Sequence, residues 1–74
     1  MTRDDYIAWA EEYRRDADVL SEKIRTKQEL LRSRFASAAE RSQAERAVGL
    51  MLEMRENCLE SMKKLIAQAE SIKE

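Results

Sequence analysis

Two long stretches of the chain carry apolar residues at the spacing of amphipathic helices. In the first, these positions are alternately four and three residues apart, a spacing typical of helices that pack as coiled coils. They are Tyr6, Ala10, Tyr13, Ala17, Leu20, Ile24 and Leu31, and Lys27 is the charged exception. We therefore predict a helix over residues about 3–34, which starts with Thr2 and Asp5 as a capping box.

The second stretch, from Val48 to Ile72, has a wider apolar face. One column on this face consists of Met51, Cys58, Leu65 and Ile72, and a second consists of Leu52, Leu59 and Ile66. Arg55 is the charged residue between the columns. A face with two columns is wider than one partner helix covers. We therefore predict a helix over residues about 38–73 that packs against more than one helix.

Few residues mark the break between the helices, because proline is absent and Gly49 is the one glycine. Ser37 and Ser42 each precede a glutamate by three residues, as in a capping box. Ser37 is preferred because it gives helices of nearly equal length, with a turn at about 33–41. Inside the second helix, Gly49 indicates either close approach of a partner helix or a slight kink. A break there would give three helices instead.

The predicted fold class is all-α, with residues 1–74 forming a single antiparallel two-helix hairpin that resembles a coiled coil. Folding the chain at about residue 36 places Lys27 opposite Glu45. The same register places Arg55 opposite Asp16 and Asp18, so both charged seam positions would gain a carboxylate.

One hairpin covers one apolar column on each helix, and it leaves the second column of the second helix exposed. Exposed apolar patches of this kind mark protein–protein contacts. We expect a homodimer that forms a four-helix bundle, although this column can instead bind a different protein. The residues expected at the oligomer interface are Leu52, Leu59, Ile66, Val48 and Met62.

Composition excludes several classes of function. A net charge of −1 argues against bulk attraction to nucleic acid or to anionic membranes. No apolar run approaches the roughly 20 residues that a membrane span needs. Acidic residues follow the N-terminus, where a signal peptide has basic ones. A cytoplasmic protein without membrane association is expected.

Catalytic chemistry is not expected. Histidine is absent, which excludes Ser–His–Asp triads, Cys–His pairs and di-iron bundles built on Glu-x-x-His. Cys58 falls on the apolar face, where a thiol behaves as a small hydrophobe. Glu53, Glu56 and Glu60 fall on the solvated side of their helix. We predict no catalytic residue, no metal site and no cofactor.

Two surfaces are candidates for binding. The cluster Tyr6, Trp9 and Tyr13 is either core packing or a recognition surface, and Trp9, beside the seam, is expected to be the most exposed of the three. Between residues 23 and 46, seven basic residues oppose three acidic ones, a net charge of +4 at the end of the hairpin. Nucleic acid would be contacted there. The candidate contacts are Arg25, Arg32, Arg34 and Arg41.

The chain opens Met-Thr-x-x-x-Tyr-Ile-x-Trp-Ala-Glu-Glu-Tyr and later reads Met-x-x-Met-Arg-x-x-Cys at residues 51–58. Both segments resemble small helical-hairpin proteins of Firmicutes prophages and mobile elements, a family without known active residues. The resemblance implies a bacterial or phage origin and a cytoplasmic accessory role.

These observations favour a non-enzymatic protein-interaction module, a phage or mobile-element accessory or inhibitor protein that acts as an oligomer. One alternative is a hairpin dimer that binds RNA or DNA through the basic end. A second alternative binds a small anionic ligand, such as a nucleotide, at a subunit interface where tyrosine and arginine converge.

Overall fold

The computed structural model describes residues 1–72 and contains two α-helices there, α1 (Arg3–Arg32) and α2 (Ala38–Ser71). A short turn over residues 33–37 joins them, and they pack against each other as a hairpin. The molecule is a rod of 57 × 14 × 13 Å. The predicted all-α class and the helical hairpin are confirmed.

Both helices start at the caps that the sequence indicates. The backbone N–H of Asp5 donates to Thr2 Oγ1 at 3.2 Å, and the N–H of Thr2 donates to Asp5 Oδ2 at 3.0 Å. These bonds form the predicted capping box and satisfy two backbone donors that the first turn leaves free. Ser37 caps α2 by accepting from the N–H of Glu40 at 3.1 Å, which decides for Ser37 over Ser42.

The ends of the helices fall slightly earlier than expected. α1 ends at Arg32, because the backbone at Ser33 is already extended, and Arg34 lies in the turn. The guanidinium of Arg41 donates to the carbonyl oxygen of Ser33 at 2.8 Å and so ties the start of α2 to the end of α1. α2 ends at Ser71. The predicted end at Lys73 lies outside the described residues.

Gly49 does not interrupt α2, so the three-helix alternative is wrong. A Cβ atom built at Gly49 would have no neighbouring atom within 4 Å, which also rules out close approach to another part of the same chain. Its backbone has an ordinary helical hand, with no positive φ. Within the hairpin, Gly49 is an exposed helical position without a packing requirement for glycine.

In α1 the core follows the predicted seam, the line of contact between the helices. In α2, Val48 and Ala69 lie in the row of Arg55, at multiples of seven residues from it, and the predicted column of Met51, Cys58 and Leu65 is only half-buried. Seven apolar residues within residues 1–72 are buried, and four of them are alanines. They are Ala10, Ala17, Leu20 and Ile24 in α1, and Ala44, Val48 and Ala69 in α2. Lys27, the charged seam position of α1, is exposed. The core is therefore thin, because alanine buries little apolar area.

The predicted pairing of the two charged seam positions is wrong. Arg55 Nε donates to Ser21 Oγ at 2.8 Å, about one helical turn beyond the expected Asp16 and Asp18. Within residues 1–72, neither Arg55 nor Lys27 has a carboxylate partner. Side chains lean toward the N-terminus of their helix. Since α2 starts at the turn, Arg55 leans toward the later residues of α1.

Candidate interaction surfaces

The rod leaves more surface uncovered than a globular chain of its size. Its radius of gyration is 16.8 Å, against about 11 Å for a compact domain of this length. Its accessible surface is 5870 Å², whereas a monomer of this mass typically exposes about 4,700 Å². The excess follows from the elongated shape of the rod, on whose two broad sides apolar residues flank the seam.

The second apolar column of α2, here called the leucine stripe (Leu52, Leu59, Ile66), lies along one of these sides. Leu52 is 48% exposed and Ile66 is 39% exposed, while Leu59 is half-buried. The exposure that the sequence indicates for the two outer residues is therefore present in the hairpin. A continuous apolar stripe on a surface is the kind of feature that marks a protein contact.

The other two residues expected at an oligomer interface lie in the seam itself. Val48 is only 9% exposed and belongs to the core of the hairpin. Met62 is half-buried in the same line of residues. Most of the surface of Val48 is therefore used within the chain, and the leucine stripe carries most of the apolar area offered to a second molecule on this side.

The opposite side carries what we call the aromatic groove, a shallow cavity of about 200 Å³. The groove is lined by Trp9, Tyr13, Ser61, Lys64 and Leu65. The rings of Trp9 and Tyr13 stack with centroids 6.4 Å apart and planes at 25°. Trp9 is 42% exposed, whereas Tyr6 and Tyr13 are half-buried, which confirms that Trp9 is the most accessible of the three.

A second groove, on the same side as the aromatic groove, contains apolar residues that the predicted seam does not include. Val19 and Met54 are exposed and lie in this cavity of about 280 Å³, together with Asp16, Lys23 and Cys58. Each directly precedes a seam residue, Leu20 and Arg55 respectively. That position beside the seam is the signal that would have found them.

Three of the four candidate nucleic-acid contacts, Arg32, Arg34 and Arg41, lie at or beside the turn, and Arg25 lies about two helical turns before the end of α1. Arg25 pairs with Glu22 at 2.7 Å, and Arg41 is engaged with the carbonyl of Ser33. Arg32 lies in the last turn of α1. Arg34 lies over the ring of Phe35, with 5.6 Å from its Cζ to the ring centroid. Phe35 is 87% exposed, so this cation–π pair stands at the tip of the rod.

Tyrosines and tip arginines do not converge within one chain. Tyr6 and Tyr13 lie near the open end of the hairpin, whereas Arg34 and Arg41 lie near the turn. Because the rod is 57 Å long, a single chain does not form the tyrosine–arginine ligand site.

Three features bear on the chemistry of the side chains: the possible metal ligands, the thiol and one carboxylate. Within residues 1–72, no group of three or more histidine, cysteine, aspartate or glutamate residues is arranged to hold a metal ion. The thiol of Cys58 is free and half-buried. Hydrogen bonds from the backbone and side chain of Thr2 lower the pKa of Asp5, because they favour the charged carboxylate.

In the described part of the chain, neither helix has an apolar segment of the length that crossing a membrane requires. Comparisons with protein-family models, with curated proteins and with solved structures find no significant match to this chain.

Proposed function

We propose that the hairpin is a non-enzymatic protein-interaction module that acts as a homo-oligomer. The observation that carries the proposal is the surface left uncovered by the two helices. The exposed Leu52 and Ile66 lie on one side, and the exposed Trp9, Val19 and Met54 lie on the other. A core made largely of alanines gives little stability to a lone chain of this size.

The two sides suit different contacts. The leucine stripe is purely aliphatic, as expected of a face that is buried permanently between subunits. The aromatic groove combines Trp9 and Tyr13 with the polar Ser61 and Lys64. Tryptophan and tyrosine dominate binding hot spots, and polar groups around them give specificity. We assign the leucine stripe to self-association and the aromatic groove to a second protein.

An accessory or inhibitor role in a phage or mobile element is the biological setting that we propose. Support comes from the resemblance of residues 1–13 and 51–58 to small helical-hairpin proteins of such elements. An inhibitor needs a stable surface for its target, and the aromatic groove offers one. A cytoplasmic location is part of the same proposal.

Light scattering over a range of protein concentrations tests the oligomer. The wild-type chain is expected to have at least twice the monomer mass, and Leu52→Glu with Ile66→Glu is expected to give a monomer. Val19→Glu with Met54→Glu is the matched control, because it introduces the same two charges on the opposite side of the rod. A wild-type chain that stays folded and monomeric at all concentrations would contradict the proposal.

A pull-down from bacterial cytoplasm tests the aromatic groove. Trp9→Ala is expected to lose a bound protein that the wild-type chain retains, while the oligomer persists. Ile7→Ala is the control, since Ile7 is also an exposed apolar residue near the start of α1 and does not line the groove. If both variants retain the bound protein equally, the aromatic groove is not the contact site.

A second candidate function, nucleic-acid binding at the tip, is favoured by one observation, the exposed pair of Arg34 and Phe35. An exposed ring can stack on a base while the neighbouring guanidinium contacts phosphate. Binding of single-stranded RNA should then weaken steeply with salt and disappear when Arg32 and Arg34 are changed to Glu. RNA binding that persists at high salt and in the variant with Arg32→Glu and Arg34→Glu would contradict this candidate function.

A further inference from the structure

We infer that the leucine stripe is covered by a second copy of this chain that lies antiparallel to the first, with Leu59 near the two-fold axis. This inference rests on the oligomer proposed above and adds the identity and orientation of the partner. Leu52 of one copy then lies beside Ile66 of the other. The tip of each hairpin lies toward the open end of its partner.

The spacing of the stripe makes it self-complementary in this orientation. Leu52 and Ile66 are each seven residues from Leu59, so reversal about Leu59 exchanges one aliphatic residue for another. All three lie on one side of α2, since a repeat of seven residues returns to nearly the same angle on a helix. An isologous contact requires this property, because the same patch must fit itself.

Two charged residues beside the leucine stripe distinguish antiparallel from parallel pairing. Glu56 and Lys63 are exposed and lie in the row of α2 next to the leucine stripe, three residues before and four residues after Leu59. Reversal about Leu59 places Glu56 of one copy level with Met62 of the other, one residue from Lys63, so that the two opposite charges are neighbours and the pair forms twice. Parallel pairing would instead place glutamate beside glutamate and lysine beside lysine, which is repulsive.

The distribution of charge along the whole rod also favours antiparallel pairing. Residues 1–22 hold seven acidic and three basic residues, net −4, and form the open end. Residues 23–46 hold seven basic and three acidic residues, net +4, and flank the tip. An antiparallel pair brings each basic tip toward the acidic open end of its partner. A parallel pair would bring like charges together over both halves of the rod.

The uncovered area is also what such a dimer needs. The chain exposes 5870 Å², roughly 1,100 Å² more than a compact monomer of its mass. A stable protein interface takes about 800 Å² from each partner. Covering one broad side of each rod therefore accounts for most of the excess and leaves the aromatic groove on the outside of the dimer.

Site-specific cross-linking tests the orientation. Single cysteines are introduced as Leu52→Cys, Leu59→Cys or Ile66→Cys in a full-length chain that also carries Cys58→Ser, and a short bis-maleimide is added. Circular dichroism first confirms that each variant is helical. In the antiparallel dimer, residues 52 of the two copies lie roughly 21 Å apart along the axis, beyond the reach of the linker.

The expected pattern is a covalent dimer from Leu59→Cys alone and from a mixture of Leu52→Cys with Ile66→Cys. Leu52→Cys alone and Ile66→Cys alone should give none. Cross-linking of each single variant to itself indicates a parallel dimer and overturns this inference while leaving the oligomer proposal intact. A dimer that cross-links at none of these positions also overturns it. A wild-type chain that is monomeric in light scattering overturns both.

Charge reversal gives an independent readout of the same geometry. Glu56→Lys alone and Lys63→Glu alone should each weaken the dimer about tenfold, because attraction becomes repulsion in two symmetric pairs. The double variant Glu56→Lys with Lys63→Glu should recover to within about threefold of the wild type. Recovery identifies the two positions as partners across the axis. Additive weakening in the double variant would overturn the assignment.

Discussion

At the scale of single residues, one short polar chain joins the two helices beside their apolar seam. Arg55 Nε donates to Ser21 Oγ at 2.8 Å, and Ser21 Oγ donates to the carbonyl oxygen of Ala17 at 3.0 Å. The serine hydroxyl thus serves as both donor and acceptor, because it has one proton to donate and two lone pairs that can accept. This chain connects positions 34 residues apart in the sequence and so bridges the two helices.

Ser21→Ala tests the importance of that chain. The variant removes the acceptor of a charged donor, and the expected loss in the free energy of unfolding is about 1 kcal/mol, after a gain of about 0.5 kcal/mol from alanine's helix propensity. Thr26→Ala is the control, because Thr26 Oγ1 bonds only to the carbonyl of Glu22. Urea unfolding at one fixed protein concentration measures both variants, and equal effects would contradict the importance of Arg55.

Asp5 supplies the pH dependence of the first cap. Its carboxylate accepts from the N–H of Thr2, so its pKa is lowered below the ordinary value of 3.8. A lowered folded-state pKa contributes stability above that ordinary value, and the contribution is lost as pH falls through the folded-state pKa. Asp5→Ala should therefore unfold more readily than Asp4→Ala at neutral pH and equally at pH well below 3.8.

The comparison is matched because both aspartates lie in the first turn of α1 and gain equally from the helix dipole. Thermal unfolding of the two variants at several pH values gives the difference directly. If the difference in stability between the two variants is the same at all pH values, the charge of Asp5 does not contribute to the stability of the cap.

Single-residue contacts across the hairpin could be predicted from sequence only in part. A charged seam position needs a polar partner, and Arg55 has one in Ser21. The partner's identity could not be predicted, because a register drawn from residue numbers ignores the lean of the side chain along its helix. Lys27 shows the opposite outcome, since it is exposed to solvent and needs no partner.

At the scale of the helices, the caps and seams were the most predictable features. Thr2 and Ser37 cap the helices because a short side-chain oxygen satisfies backbone donors that only a helix start leaves free. The line of contact on α1 followed from periodicity, since its apolar residues collect at one angle, whereas the wider apolar face of α2 left open which of its rows meets α1. The end of α1 was less predictable, because Arg32 and Arg34 are equally compatible with a final turn.

Gly49→Ala tests the interpretation of α2 as one uninterrupted helix. No atom lies within 4 Å of the added Cβ, so the methyl group meets no obstacle within the chain. Alanine is expected to raise the free energy of unfolding by about 1 kcal/mol. Ala67→Gly, at another exposed position of α2, should lower it by a similar amount. Destabilisation by Gly49→Ala would indicate that a second chain lies against this position.

At the scale of the whole molecule, the width of the apolar face on α2 predicts that two helices are insufficient, and the hairpin leaves Leu52 and Ile66 exposed. On the second exposed side, the sequence singled out Trp9 but not Val19 and Met54, because these two fall one position outside the seam in a heptad assignment and carry no aromatic ring. Only the paired helices show that such flanking residues from α1 and α2 lie in one groove.

Salt provides a whole-molecule test of how two rods combine. With tips of net +4 lying near open ends of net −4, attraction between the copies is screened by added salt. The dissociation constant of the wild-type dimer should therefore rise severalfold between roughly 0.05 M and 0.5 M NaCl. Parallel rods would bring like charges together, and the same salt would then tighten the dimer. Sedimentation equilibrium gives the constant at each salt concentration.

A matched variant separates the charge of the rods from general effects of salt. Lys27→Gln with Arg46→Gln lowers the positive charge near the tip by two, and both residues are exposed and lie outside the leucine stripe. Because aliphatic burial is nearly insensitive to moderate NaCl, the variant should bind more weakly at low salt and approach the wild type at high salt. An unchanged salt dependence would place the attraction beside the leucine stripe, at Glu56 and Lys63, rather than at the ends of the rod.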